Sequence, residues 1–96
     1  MLIRIVKMTF DPAKTGEFKK IFELNNHRIS SFKGCESVVL LQDIKQEDIL
    51  FTYSHWKDED ALNAYRDSDI FREIWGKVKP MFREKAEAWS VNQLNN

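Results

Sequence analysis

Apolar and polar residues alternate singly at the start of the chain, then recur at helical spacing. Leu2, Arg4, Val6, Met8 and Phe10 fall on one side of an extended segment and Ile3, Ile5 and Lys7 on the other, so residues 2–10 predict a strand. Asp11-Pro12 ends it and opens a helix, with Asp at a cap position and Pro in the first turn. That helix is expected to run to about Phe32, because Phe18, Phe22, Asn25, Ile29 and Phe32 share one stripe, with Ile21 beside it. Lys33-Gly34 stops it. Residues 36–44 predict a second strand, 46–48 a polar connection and 49–56 a third strand. Asp58 caps the next helix, which carries Ala61, Leu62 and Tyr65. Ser68 reads as a second cap, so this helix should break or kink there. A further helical piece is expected from Asp69 to about Phe82, on the stripe Phe71, Ile74, Trp75, Val78 and Phe82. Pro80 predicts an irregular last turn. Residues 86–94 predict a fourth strand, and Asn95-Asn96 a tail.

The order βαββαβ predicts an α+β, ferredoxin-like unit, with an antiparallel sheet and two helices on one face. Helices on one face leave the other uncovered. Yet Val38-Val39-Leu40-Leu41 and Ile49-Leu50-Phe51 are unbroken apolar runs, and the first strand is apolar on both sides. A half-solvated sheet should alternate cleanly. A second copy of the chain would bury the spare face, giving a homodimer whose two sheets form a closed or nearly closed α/β barrel. The competing reading is a monomer that exposes an unusually large apolar surface.

Ninety-six residues make one domain, 1–96. Fifteen basic residues balance fifteen acidic ones, so the net charge provides no footprint for nucleic acid or an anionic membrane. No apolar run is long enough to span a bilayer. The single Cys35 has no internal disulfide partner, which points to the cytoplasm. It reads as a small buried residue entering the second strand.

The third strand sets Leu50, Thr52, Ser54 and Trp56 against Phe51, Tyr53 and His55, with one set facing the helices and the other the dimer interior. The helix stripes add Phe22, Asn25, Tyr65, Phe71 and Trp75. Together these could line an aromatic pocket with a few polar groups, the usual character of a small-molecule site. Asn25 lies about 20° from Phe18 around the helix, at the centre of the apolar stripe. Its amide either meets a ligand or is satisfied by backbone or water. Trp75 and Phe71 are core or pocket wall, and Trp56 is a core plug or a lid. His55 is a candidate base, against a structural or interface role. His27 falls opposite Phe18 and should be exposed. No cluster has metal-ligand spacing, and three glycines form no phosphate loop, so neither a metal nor a nucleotide or flavin cofactor is expected.

Several short elements occur in a set order: Phe32-Lys33-Gly34-Cys35, Tyr53-Ser54-His55-Trp56, Ala61-Leu62-Asn63-Ala64-Tyr65, Ser68-Asp69-Ile70-Phe71 and Ala88-Trp89-Ser90-Val91. The ordered set resembles the antibiotic-biosynthesis-monooxygenase-like family. That resemblance implies a ferredoxin-like unit dimerising into a barrel. One branch consists of monooxygenases that need no cofactor and let a bound phenol, anthrone or quinol react with O2. It places a Trp where Trp56 stands, an Asn at the position of Thr52 and a Tyr at that of Leu62. Thr52 keeps a hydroxyl, and Tyr65 offers a phenol one turn on. A second branch degrades haem through a His at the position of Trp75, which cannot ligate iron. The resemblance therefore implies a cofactor-independent monooxygenase with Trp56, Trp75, Phe71 and Phe22 as substrate-binding walls. Thr52, Tyr65, His55 and Asn25 would be its candidate catalytic residues. The alternative is a non-catalytic dimeric barrel that binds a small hydrophobic ligand, and a third, weaker reading is haem binding or degradation with another ligand such as His55.

Overall fold

Leu2–Phe10 forms strand β1, whose alternation places Met8 and Phe10 in the core. The structure, a computed structural model, describes residues 1–95. Asn96, the end of the expected tail, lies outside the described residues. After β1 the Asp11 side chain accepts the Ala13 N–H at 3.0 Å, and the Asp11 carbonyl accepts the Lys14 N–H at 2.8 Å. This closed turn keeps residues 12–14 out of the helix, so Asp11 caps a turn and helix α1 covers Thr15–Ser30. Residues 31–34 leave the helix through a turn that ends at Gly34, with φ at 91°.

Strand β2 is Cys35–Gln42 and strand β3 Ile49–Trp56. β2 stops two residues before the expected end because the Asp43 carboxylate accepts the N–H groups of Lys45 (3.0 Å) and Gln46 (2.8 Å) and folds the chain over. Helix α2 is Glu59–Arg66 and helix α3 Asp69–Val78. Each begins at its expected cap: Asp58 accepts the Ala61 N–H at 2.8 Å and Ser68 the Phe71 N–H at 3.2 Å. The break between α2 and α3 is the one that Ser68 predicts. Pro80 has no N–H to continue α3, and Lys79–Met81 form one 3-10 turn. Phe82, expected on the helix stripe, is instead the first residue of strand β4, Phe82–Asn92, and pairs with Phe10.

The sheet order is β2-β3-β1-β4 with every pair antiparallel, so the unit is a ferredoxin-like α+β fold with three helices. In the single chain the sheet does not close. The cross-strand register sorts its side chains into two faces. Val38, Ser54, Arg4 and Ser90 form one row on the helix side, and Leu40, Thr52, Val6 and Ala88 form the next. On the opposite side the rows are Val39, Tyr53, Ile5 and Trp89, then Leu41, Phe51, Lys7 and Glu87. Core residues Met8, Phe10, Phe18, Phe22, Val38, Leu50 and Val78 fill the helix side. The far face has no element over it. Val39, Leu41, Trp89 and Val91 there are 40–47% exposed.

Gly34 joins the two layers. Its carbonyl accepts the Lys57 N–H at 2.8 Å, and a β-carbon on it would overlap the Ala61 methyl of α2. Gly34→Ala therefore combines a left-handed backbone with overpacking. Urea denaturation should show a loss of about 2–4 kcal/mol, and a change below about 0.5 kcal/mol would mean that the turn is not held in this conformation.

Candidate functional site

A cavity of about 380 Å³ opens between the helix side of the sheet and the three helices. Its floor is made of small or short side chains: Val6, Thr52, Ser54, Ala86 and Ala88. Its walls are rings. Phe22 tilts against Phe18 (centroids 6.4 Å), which stacks on Phe10 at 4.3 Å. The line continues through Phe82 and Trp75. Trp75 stacks on Phe71 at 5.7 Å, Phe71 meets Tyr65 edge-on at 5.3 Å, and Tyr65 stacks on Trp56 at 5.0 Å. The contacts range from stacked through tilted to edge-to-face, and the stacked and edge-to-face ones are arrangements that aromatic quadrupoles favour. Six of these rings (Phe18, Phe22, Trp56, Tyr65, Phe71 and Trp75) touch the cavity.

Trp56 is fully buried at the end of β3. Its indole N–H donates to Ser54 Oγ at 2.9 Å, and the Ser54 hydroxyl donates to the Arg4 carbonyl at 3.4 Å. This chain locks the indole as an end wall. The neighbouring Thr52 also lines the cavity, and among the described residues its hydroxyl makes no hydrogen bond. The Tyr65 phenol is pushed up to about 12, first by burial and then by the nearby Cys35 thiol. At neutral pH it stays protonated, so its hydroxyl is available as a hydrogen-bond donor. Among the described residues, Arg4 and Arg66 are the only charged groups on the wall.

Of the eight residues singled out in the sequence, Thr52, Tyr65, Trp56, Trp75, Phe71 and Phe22 come together here. Asn25 and His55 do not. Asn25 is buried in α1, where its Nδ2 donates to the Ile21 carbonyl at 2.8 Å and its Oδ1 accepts from Arg28 at 2.9 Å. Arg28 in turn pairs with Glu73 of α3 at 2.6 Å, which lowers the Glu73 carboxyl pKa. The amide thus braces α1 against α3. His55 lies on the far face, its ring 5.2 Å from Tyr53 and its Nδ1 3.1 Å from Ser37 Oγ. Sequence reasoning did not select Arg4 or Arg66. The available signal was a charge at Arg4 on the same strand side as Val6, Met8 and Phe10.

A family profile described as antibiotic biosynthesis monooxygenase matches residues 1–76. The chain belongs to that family. A solved antibiotic biosynthesis monooxygenase shares the fold at a TM-score of 0.91 and 15% identity, covering 99% of this chain and 100% of its own. A Nitrosomonas europaea protein provisionally assigned to the same family gives 0.91 at 18% identity, with 99% and 100% covered. A conserved Methanosarcina mazei Go1 protein gives 0.89 at 26% identity, with 97% and 93% covered. No curated protein sequence matches the chain. In this member no described helix is long and apolar enough to cross a membrane.

The buried phenol has a consequence for stability. An unfolded tyrosine loses its proton near pH 10, while Tyr65 holds its own to about 12. Between those values the folded state binds more protons than the unfolded one, so stability falls as pH rises. The urea midpoint of the wild type should drop more steeply than that of Tyr65→Phe above about pH 10. A difference between the two proteins that stays constant up to pH about 12 would mean that Tyr65 titrates like an exposed residue.

Proposed function

We propose that this chain is a monooxygenase acting on a small aromatic hydroxyl compound of the quinol, anthrone or phenol type, using O2 and no cofactor. The observation that carries this reading is the ring-walled cavity with the unengaged Thr52 hydroxyl on its floor. Its volume of about 380 Å³ lies toward the small end of ligand pockets, suiting a compound of two or three fused rings. Family membership supports the same chemistry. Stacking on Trp56 and Tyr65 would fix the ring plane. Thr52 and the protonated Tyr65 would orient the substrate oxygen. Among the described residues neither carboxylate nor imidazole lines the cavity, so the substrate proton leaves to water, and the positive charge of the wall favours the anion. The electron-rich ring carbon then combines with O2, and the peroxide anion takes up a proton from water. The resulting hydroperoxide loses water to leave a carbonyl, so one oxygen atom stays on the product and the other departs as water.

A second reading, a barrel that binds an aromatic ligand without turnover, is favoured by that same lack of a side-chain base. In either case two chains are inferred to pair through the exposed far face, which would make a homodimeric barrel.

Oxygen uptake with reduced naphthoquinones, anthrones and catechols separates the two readings. The monooxygenase should show saturable uptake above autoxidation. Thr52→Val and Tyr65→Phe, each keeping the shape of its side chain, should lower it by about ten- to a hundredfold, as expected for one lost orienting hydrogen bond. Uptake no faster than autoxidation across the panel would leave the binding barrel as the function.

A further inference from the structure

Five arginines occur in the chain, and three of them pair with carboxylates: Arg28 with Glu73 and Arg72 with Asp69, each at 2.6 Å, and Arg83 with Glu84 at 3.7 Å. The two without a carboxylate partner among the described residues are Arg4 and Arg66, the two that line the cavity. Arg4 rises from the sheet floor and Arg66 projects from the end of α2. Arg4 spends one donor on Ser90 Oγ, at 3.0 Å. A guanidinium carries five N–H donors in a planar fork, so most of its capacity is unused. The two cations also feel each other. Burial, and after it the positive charge of Arg66, pull the Arg4 pKa below its ordinary value. Two like charges beside an apolar wall, with no acid to offset them, are unfavourable in the empty protein and favourable once an anion arrives.

We propose that Arg4 and Arg66 form a carboxylate subsite, so that the ligand of this cavity is an aromatic acid whose rings lie among Trp56, Tyr65, Phe71 and Trp75. Guanidinium forks match a carboxylate's two oxygens, and charge-assisted pairs of this kind are stronger than neutral ones. One carboxylate neutralises one of the two positive charges. The remaining charge still favours ionisation of a ring hydroxyl, so the subsite is compatible with the proposed oxidation. The inference rests on the reading of the cavity as the ligand site and not on turnover.

The test is calorimetric binding of 2-naphthoate and 2-naphthamide, which share their rings and differ in charge. The wild type should bind the naphthoate at least about tenfold more tightly. Arg66→Gln, a change at an exposed position that leaves the core intact, should cut that preference. Arg4→Gln combined with Arg66→Gln should abolish it, with naphthamide affinity unchanged. Equal affinities in the wild type, a preference that survives in both variants, or binding of neither compound would overturn the subsite. Binding is read without O2 consumption, so the two proposals fail separately. A chain that prefers naphthoate but oxidises no quinol retains the subsite and loses the oxidation. A chain that oxidises quinols without the preference does the reverse.

Discussion

The sheet is apolar on both faces, and one chain can cover only one of them. Helices α1, α2 and α3 lie on the side that carries Met8, Phe10, Leu50 and Trp56. The row Val39, Tyr53, Ile5 and Trp89 on the other side has no helix or strand packed over it among the described residues. Removing such a row from water stabilises by about 25 cal/mol per Å² of apolar surface, a drive no exposed sheet satisfies alone. The rest of the architecture follows from that division. The proposed ligand chemistry would use the covered face, and the proposed association the open one. Parity along β3 decides which side chain serves which face, and it sends Thr52 and Trp56 one way and His55 the other.

On the covered face the cavity exists because of how side-chain sizes are distributed. Thr52, Ser54, Ala86 and Ala88 are too small to reach the helices above them. The rings that could fill the space stack on one another around its edge, from Phe22 through Phe10 and Trp75 to Trp56. The rim holds α2 and α3 off the floor, and close packing elsewhere leaves no slack to collapse the gap. The same rim leaves Arg4 and Arg66 facing an apolar space, so charge and ring plane together would select the ligand.

Much of this was legible in the residues. The bounds of β1 and β3, the caps at Asp58 and Ser68 and the irregular turn at Pro80 follow from local chemistry, and they appear where that chemistry puts them. Other boundaries were not legible, among them the end of β2 at Gln42, the end of α3 and the start of α1. Phe82 lies four residues after Val78 and so continues the helical stripe formally, but Pro80 removes the N–H that would carry the helix there. Asp11 reads as a helix cap, yet its carboxylate closes a turn on Ala13, and α1 starts three residues later than Pro12. Local backbone chemistry at Pro80 and Asp11 decided these two. At the site, helical and strand periodicity located the walls, since Phe22, Tyr65, Phe71 and Trp75 share stripes. Periodicity alone did not say that the Asn25 amide would be used up between Ile21 and Arg28. Nor did it single out Arg66, which lines the cavity from the end of α2.

The measurement that tests this division of faces most directly is the solution mass of the 11.4 kDa chain by sedimentation equilibrium, beside a Leu41→Glu, Trp89→Glu variant. Both positions lie on the open face and away from the cavity, so the variant should keep its fold and its ligand. The account predicts twice the chain mass for the wild type and the single-chain mass for a folded variant. A wild-type protein that sediments as one chain, with Val39, Leu41 and Trp89 left in water, would contradict it.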